Sequence, residues 1–250
     1  MSSAPVERIR VSRLRKTFGI GPIKMTAFGL LGSWVSSDGR HHGHARHAIA
    51  IDALSVQSGE ITGLIGENGA GKTTLLKLVA GLYAPNSGSI RVRGSVTYFA
   101  GLGVGMIQDL SVRENIYLYG AICGIPRTRL HLQFEALLSW AELSEFADAR
   151  LRTLSAGMKT RLAFAIASHV ESDVLLLDEA FSAGDRRFQD RCNDFIISRR
   201  GGPSTILIAT HNLSFVQQFC TRAVWLDHGN LRAEGDPPGV VAAYQEYCKR

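Results

Sequence analysis

The sequence predicts an α/β protein whose parallel sheet is covered by helices on both faces. Three observations carry that prediction. Strand-like and helix-like runs alternate along most of the 250 residues, the pattern of βα units around a parallel sheet. Residues 174–177, "VLLL", are apolar at every position, which suits a strand buried on both faces. A glycine-rich turn at 66–73, "GENGAGKT", lies between a strand and a helix, at the end of the sheet where α/β proteins bind ligands.

The elements follow in order. Residues 8–14 read as a strand, because basic and apolar residues alternate in "RIRVSRLRK" (8–16); the charges mark its solvated side rather than a nucleic-acid arm. Residues 48–56 read as its partner. The stretch 19–47 between them reads as an insertion into a hairpin, first apolar ("MTAFGLLGSWV"), then polar and rich in Gly and His ("SSDGRHHGHARH"). "EITGLIG" is a strand, 71–80 a helix, and "SIRVRG" and "SVTYFA" are further strands. Residues 111–146 carry apolar residues at three- and four-residue spacing and read as helical. This block interrupts the alternation, so it is expected to stand off the sheet. Helices are expected at 155–170, 187–199 and 212–220, with strands at "DVLLLD" and "STILIA" between them. "RAVWLDHGNLRAEG" reads as a hairpin with Gly229 and Asn230 in its turn. Asp236 as N-cap and Pro237 in the first turn open a last helix.

Composition narrows the function classes. With 45% hydrophobic and 20% charged residues, the chain is globular rather than disordered. A net charge of +6 permits a polyanion partner, but a mildly basic enzyme is the simpler reading and no nucleic-acid partner is expected. Cys123, Cys192, Cys220 and Cys248 are far apart with no CxxC spacing, which favours reduced thiols over a disulfide framework or a zinc site. "MSSAPVERIR" has no apolar core, so no signal peptide is expected. No run is long and apolar enough to cross a bilayer. Work at a membrane would need another polypeptide to supply the crossing.

The candidate chemistry clusters at strand ends. Gly66, Glu67, Asn68, Gly69, Ala70, Gly71, Lys72, Thr73 and Thr74 form a phosphate cradle of G-x-x-x-x-G-K-[ST] type. Its backbone N–H groups and helix N-terminus attract phosphate, Lys72 adds a full charge, and the Thr73 hydroxyl can ligate Mg²⁺. Asp178 ends the apolar strand and is expected to hold Mg²⁺ through water. Glu179 follows and can polarise an attacking water as general base. His211 ends the next strand, where it could hydrogen-bond a terminal phosphate and sense its loss. "LSAGM", 154–158, is a small-residue turn entering a helix, a second place suited to phosphate. His41, His42, His44 and His47, near Asp38, are expected to form a solvated, pH-sensitive loop rather than a metal site.

These motifs, in this order, resemble the ATP-binding cassette (ABC) ATPases over nearly the whole chain. "LSAGM" stands where that family has its signature, and "SAGD", ending at Asp185, stands at its dimer-contact loop. The resemblance implies a RecA-like P-loop nucleotide-binding domain over 6–250, with an antiparallel β subdomain, a helical subdomain at about 102–165 and the insertion at 19–47. It implies ATP and Mg²⁺ as cofactors. Two copies would close head to tail, so that Ser155, Gly157 and the helix behind them touch the γ-phosphate held by the other copy. Phe18 would stack on adenine. The family's glutamine before the helical subdomain is not at its usual place, near Gly101. Either Gln108 serves from a lengthened loop as a Mg²⁺ contact, or the glutamine is absent, which is favoured.

The glycine-rich "LGVG" before "REN" resembles the subfamily that exports polysaccharides such as O-antigen, capsule and teichoic acid. So do the "AGD" loop, the insertion after Phe18 and the final segment. What this implies is an ATPase at the cytoplasmic face of the inner membrane, peripheral, driving export of a lipid-linked polysaccharide through separate transmembrane permease subunits. No carbohydrate-binding domain is expected after Arg250. The rivals are an ABC exporter for another cargo, and a soluble ABC ATPase acting on nucleic acid. The latter fits poorly with one cassette and no heptad arms.

Overall fold

Two buried surfaces organise the chain, one on each face of a single sheet. The computed structural model describes residues 6–20, 44–100, 105–178 and 186–249, and their strands join in one nine-stranded sheet. In chain order these strands are β1 (Glu7–Ile20), β2 (His44–Gln57), β3 (Ile61–Ile65), β4 (Ser87–Val92), β5 (Val96–Ala100), β6 (Val174–Asp178), β7 (Thr205–Ala209), β8 (Arg222–Asp227) and β9 (Asn230–Gly235). Across the sheet the order is β4-β1-β2-β9-β8-β3-β7-β6-β5. From β8 to β5 all neighbours are parallel. At the other edge β1 pairs antiparallel with β2 and β4. β9 joins the two regions, antiparallel to β8 and paired in parallel with β2 at Ala50↔Asn230.

Successive side chains of a strand point to opposite faces, and both faces here are buried. Leu175 and Leu177 of β6 enter one core, with Phe99, Ile206 and Ile208. Val174 and Leu176 enter the other, with Leu64, Leu207 and Ala209. The first core is closed by α2 (Val112–Ile122), α3 (Arg127–Ala141), α4 (Ala156–Ser168), α6 (Leu213–Phe219) and α7 (Pro237–Cys248), which supply Ile116, Leu137, Leu162, Phe215 and Val241. The second is closed by α1 (Lys72–Val79) and the β1–β2 hairpin through Leu75, Leu76, Ile9, Val11 and Leu14. The three-residue step from Val11 to Leu14 is absorbed at Arg13, whose φ is 47°, beside the register shift in the β1–β4 pairing. Arg10 and Arg13 face solvent, so the basic run is the outer side of this strand.

Residues 111–146 form α2, α3 and a 3-10 turn at Ser144–Phe146. Ser111 and Glu114 make a reciprocal capping box at the start of α2. The Ser111 backbone N–H, then its hydroxyl, hold the Glu114 carboxyl below the usual carboxylate range. α3 stops at Glu142, which adopts a left-handed φ of 57°. Its carboxylate meets Arg161 of α4 at 2.5 Å, and Arg191 and Arg187 of α5 (Arg186–Ser198) at 3.2 and 3.7 Å. Trp140, Phe164 and Phe188 pack beneath these charges. The end of α3, helix α4 and the start of α5 are thus tied together.

Several boundaries differ from the sequence reading. β1 and β2 run further, pairing Thr17↔His47 and Ile20↔His44, so 19–20 and 44–47 belong to the hairpin rather than to the insertion. His44 and His47 lie on a strand and not in a loop. His41, His42, Asp38 and the apolar half of the insertion lie outside the described residues. The β8–β9 turn is made by His228 and Gly229, with φ of 46° and 82°, while Asn230 already begins β9. Two consecutive left-handed residues are what a tight hairpin turn needs.

Asn115 is fully buried and holds the segment before α2 in shape. Its side-chain oxygen accepts from Ile107 N at 2.8 Å, and its amide donates to the carbonyls of Ile107, Leu110 and Ser111. Asn115→Ala leaves these buried groups without partners. It is expected to lower the free energy of unfolding by about 2–4 kcal/mol, read from urea denaturation.

Candidate functional site

The glycine-rich turn leaves β3 and enters α1. Gly71 sits at the helix N-cap with φ 104°, and a Cβ there would lie 2.8 Å from both Ala48 O and Ile49 Cδ1. Only glycine fits that left-handed, crowded position. The β8–β9 turn packs from beneath: Gly229 N donates to Ala70 O at 2.9 Å, and Ala50 N donates to Gly229 O at 2.7 Å. The cradle therefore rests on β2 and on the hairpin that follows the parallel sheet. Gly66 and Ala70 are buried, while Glu67, Asn68 and Gly69 are exposed at its rim. Thr74 is half-buried in the first turn of α1.

Lys72 is buried, and its ammonium donates to Gly66 O at 2.7 Å and Glu67 O at 3.0 Å. A buried cation needs such acceptors. They also hold the charge inside the loop whose N–H groups would face a phosphate.

Thr73 and Asp178 are brought together: Thr73 Oγ1 donates to Asp178 Oδ1 at 3.0 Å. Strand parity explains it. Asp178 shares a face with Val174 and Leu176, which enter the core under α1, and Thr73 lies in the first turn of that helix. β7 stands between β3 and β6, and Thr210 N at its end donates to Leu64 O at 3.2 Å. The ends of these three strands are therefore level.

Tyr98 was not legible as a site residue, yet its hydroxyl donates to Asp178 Oδ2 at 3.0 Å. Burial, then the charge of Asp178 and the hydrogen bond to it, push the Tyr98 phenol well above its ordinary range, so it stays a donor. The available signal was alternation in "VTYFA": Val96 and Tyr98 share one face and Phe99 takes the other.

A hydroxyl and a carboxylate at this distance are hard oxygen donors. They suit Mg²⁺, which is held by one or two carboxylates and completes its shell with phosphate oxygens and water. Among the described residues no group of three or more His, Cys, Asp or Glu forms a metal cage.

The other candidates surround this centre or stand apart from it. His211 is exposed just beyond β7, and Asn212 beside it caps α6 by accepting from Phe215 N at 2.9 Å. Phe18, 38% exposed, lies edge-on to Tyr83 with ring centroids 5.5 Å apart. The Lys16 ammonium is 5.1 Å from the Phe18 centroid. Ser155 caps α4, accepting from Met158 N at 3.2 Å, and is exposed. The space above Gly157 is open, the nearest atom to a Cβ there being Ser155 Oγ at 4.0 Å. Among the described residues no hydrogen bond joins Ser155 or Gly157 to the first cradle.

Gln108 is exposed, and its carbonyl accepts from Arg152 N at 2.9 Å. That main-chain bond places its backbone beside the segment leading to Ser155, and among the described residues no hydrogen bond joins it to the Thr73–Asp178 pair. Glu179, Asp185 and Gly101 lie outside the described residues.

A family model described as "ABC transporter" matches residues 51–182. An O-antigen export system ATP-binding protein of Myxococcus xanthus is 39% identical over 193 residues, covering 77% of this chain and 44% of that protein. One from Klebsiella pneumoniae is 38% identical over 203 residues, covering 80% of this chain and 82% of that protein. A teichoic acids export ATP-binding protein of Bacillus anthracis is 36% identical over 215 residues, covering 86% of this chain. The chain spans less than half the length of the first and third of these relatives, 44% and 38%. Among solved structures, a dimeric post-hydrolysis ATP-binding cassette bound to ADP and Pi superposes with a TM-score of 0.72 at 19% identity, over 92% of this chain and 98% of that one. An ATP-binding subunit of an ABC transporter gives 0.74 at 21% identity, over 95% and 93%. These two likenesses establish the fold.

Lys72→Ala removes the one full positive charge inside the first cradle. It is expected to weaken nucleotide binding by at least about tenfold, equivalent to about 1.4 kcal/mol. Calorimetric titration reads the change, and the unfolding temperature without nucleotide checks that the fold holds.

Proposed function

The chain belongs to the ABC transporter family, and on that premise we propose that it is the ATP-hydrolysing subunit of an exporter of lipid-linked polysaccharide. The single observation that carries the ATPase reading is the meeting of Thr73 and Asp178 at the mouth of the first cradle. The cargo reading is supported by relatives named for export of O-antigen and teichoic acids.

In this reading the loop of 66–71 and the α1 N-terminus bind the β- and γ-phosphates through backbone N–H groups. Lys72 turns from Gly66 O and Glu67 O toward the phosphates. Phe18 stacks on adenine. Thr73 and Asp178 would hold Mg²⁺, which when bound would neutralise charge on the phosphates. Glu179 takes a proton from the attacking water, and His211 donates to the γ-phosphate. Among the described residues no hydrogen bond joins the two cradles, and on this reading the exposed N-terminus of α4, with Ser155 and Gly157, serves the nucleotide of a second copy, and Asp185 lies at the contact. Two copies close on ATP and reopen after hydrolysis. Among the described residues no helix is long and apolar enough to cross a membrane. Separate transmembrane subunits supply the path, with this subunit bound peripherally at the cytoplasmic face of the inner membrane.

Glu179→Gln is expected to retain ATP binding while hydrolysis falls at least about a hundredfold. It is also expected to accumulate an ATP-dependent dimer on size-exclusion chromatography. Normal turnover in this variant would remove Glu179 from its role. Co-purification from detergent-solubilised membranes tests the cargo reading: a transmembrane subunit carrying glycolipid is expected, and a partner for another cargo would overturn it.

A further inference from the structure

We infer that Tyr98 is a positioning residue that fixes which oxygen of Asp178 is turned to the metal, a role that rests on the reading above. The terminal torsion of an aspartate is broad and roughly twofold. A carboxylate with one partner can therefore rotate and exchange its oxygens. Among the described residues Asp178 has a partner on each oxygen: Thr73 on Oδ1 and Tyr98 on Oδ2, both at 3.0 Å. Thr73 comes from α1 and Tyr98 from β5, so the carboxylate is pinned from two independent elements.

The β5–β6 register makes the second contact hard to lose. Tyr98 is level with Leu176 and Ala100 with Asp178, so the phenol lies one side-chain repeat behind the carboxylate on the same face. That repeat is about 7 Å along a strand, a length a tyrosine side chain spans. The ring packs against the core under α1, which sets the position of the hydroxyl. With Oδ2 occupied by a neutral donor, the free lone pairs of Oδ1 remain beside Thr73 Oγ1, where water on a metal would donate. Among the described residues the donor that reaches Asp178 from β5 is Tyr98.

Partners that orient a metal-holding carboxylate contribute about tenfold to a hundredfold in metal affinity. Tyr98→Phe keeps the ring and deletes only the donor. The test uses the full chain saturated with ATP. Mn²⁺ is titrated in and its free concentration followed by electron paramagnetic resonance. The midpoint is expected to rise about tenfold in Tyr98→Phe. ATP binding in EDTA should stay within about twofold, and the unfolding temperature without nucleotide within about 2 °C. An unchanged Mn²⁺ midpoint alongside normal metal-dependent binding by the parent chain would overturn the role of Tyr98 alone. A loss of metal-free ATP binding or of stability equal to the loss of metal affinity would also overturn it, by showing that the hydroxyl acts on the fold. A parent chain without metal-dependent ATP binding would instead remove the ATPase reading itself.

Discussion

The parallel register of β3, β7 and β6 is the constraint from which the site follows. Leu64 is level with Ala209, and Ala209 with Asp178, so three loops leave the sheet at one height. That register is held by strands buried on both faces. Each fully buried Leu or Ile in them contributes about 1.5–3 kcal/mol. A one-residue slip of β6 would carry Asp178 from the face under α1 to the face under α2–α4. The geometry of the site and the packing of the core are therefore specified by the same alternation of side chains.

A second constraint fixes the floor of the cradle. Ala48 and Ala50 of β2, Gly229 of the β8–β9 turn and Ala70–Gly71 of the loop meet at backbone distance. The antiparallel edge, which brings Phe18, is thereby located against the phosphate loop rather than left to swing. At the other side, the segment 107–111 is held by Asn115, and its carbonyls at Gln108 and Leu110 accept from Arg152 and Leu151. Glu142 then links α3 to α4 and α5 through three arginines. Its side chain is 34% exposed, so these pairs are weak individually and act as a network.

Much of the fold was legible because its signals are local. "VLLLD" announces a strand buried on both faces and its polar end, and "GENGAGKT" announces a turn that only backbone N–H groups and glycine could make. Asp236 and Pro237 announce a helix start through capping chemistry. Features that depend on pairing across the sheet were not legible. In the sequence Tyr98 reads as one more residue of a strand, and only the pairing of β5 with β6 brings its hydroxyl to Asp178. β9 gave no sign that it would bridge to β2. The turn was shifted by one residue because Asn230 is as acceptable in a turn as His228, and only the β8–β9 register decides. Gln108 is a candidate only through the family's loop glutamine, and its main-chain carbonyl accepts from Arg152 N, beside the segment leading to Ser155.

The proposed dimer makes each nucleotide site from Lys72 of one copy and Ser155 of the other. Mixing two separately inactive variants tests this most directly. Lys72→Ala disables the first cradle and Ser155→Arg the second. A head-to-tail dimer of one of each leaves one site with both cradles intact. The account predicts that the equimolar mixture recovers ATPase activity, up to about a quarter of the parent rate for random pairing. A mixture as inactive as its components would contradict it, as would a Ser155→Arg chain that hydrolyses ATP normally alone.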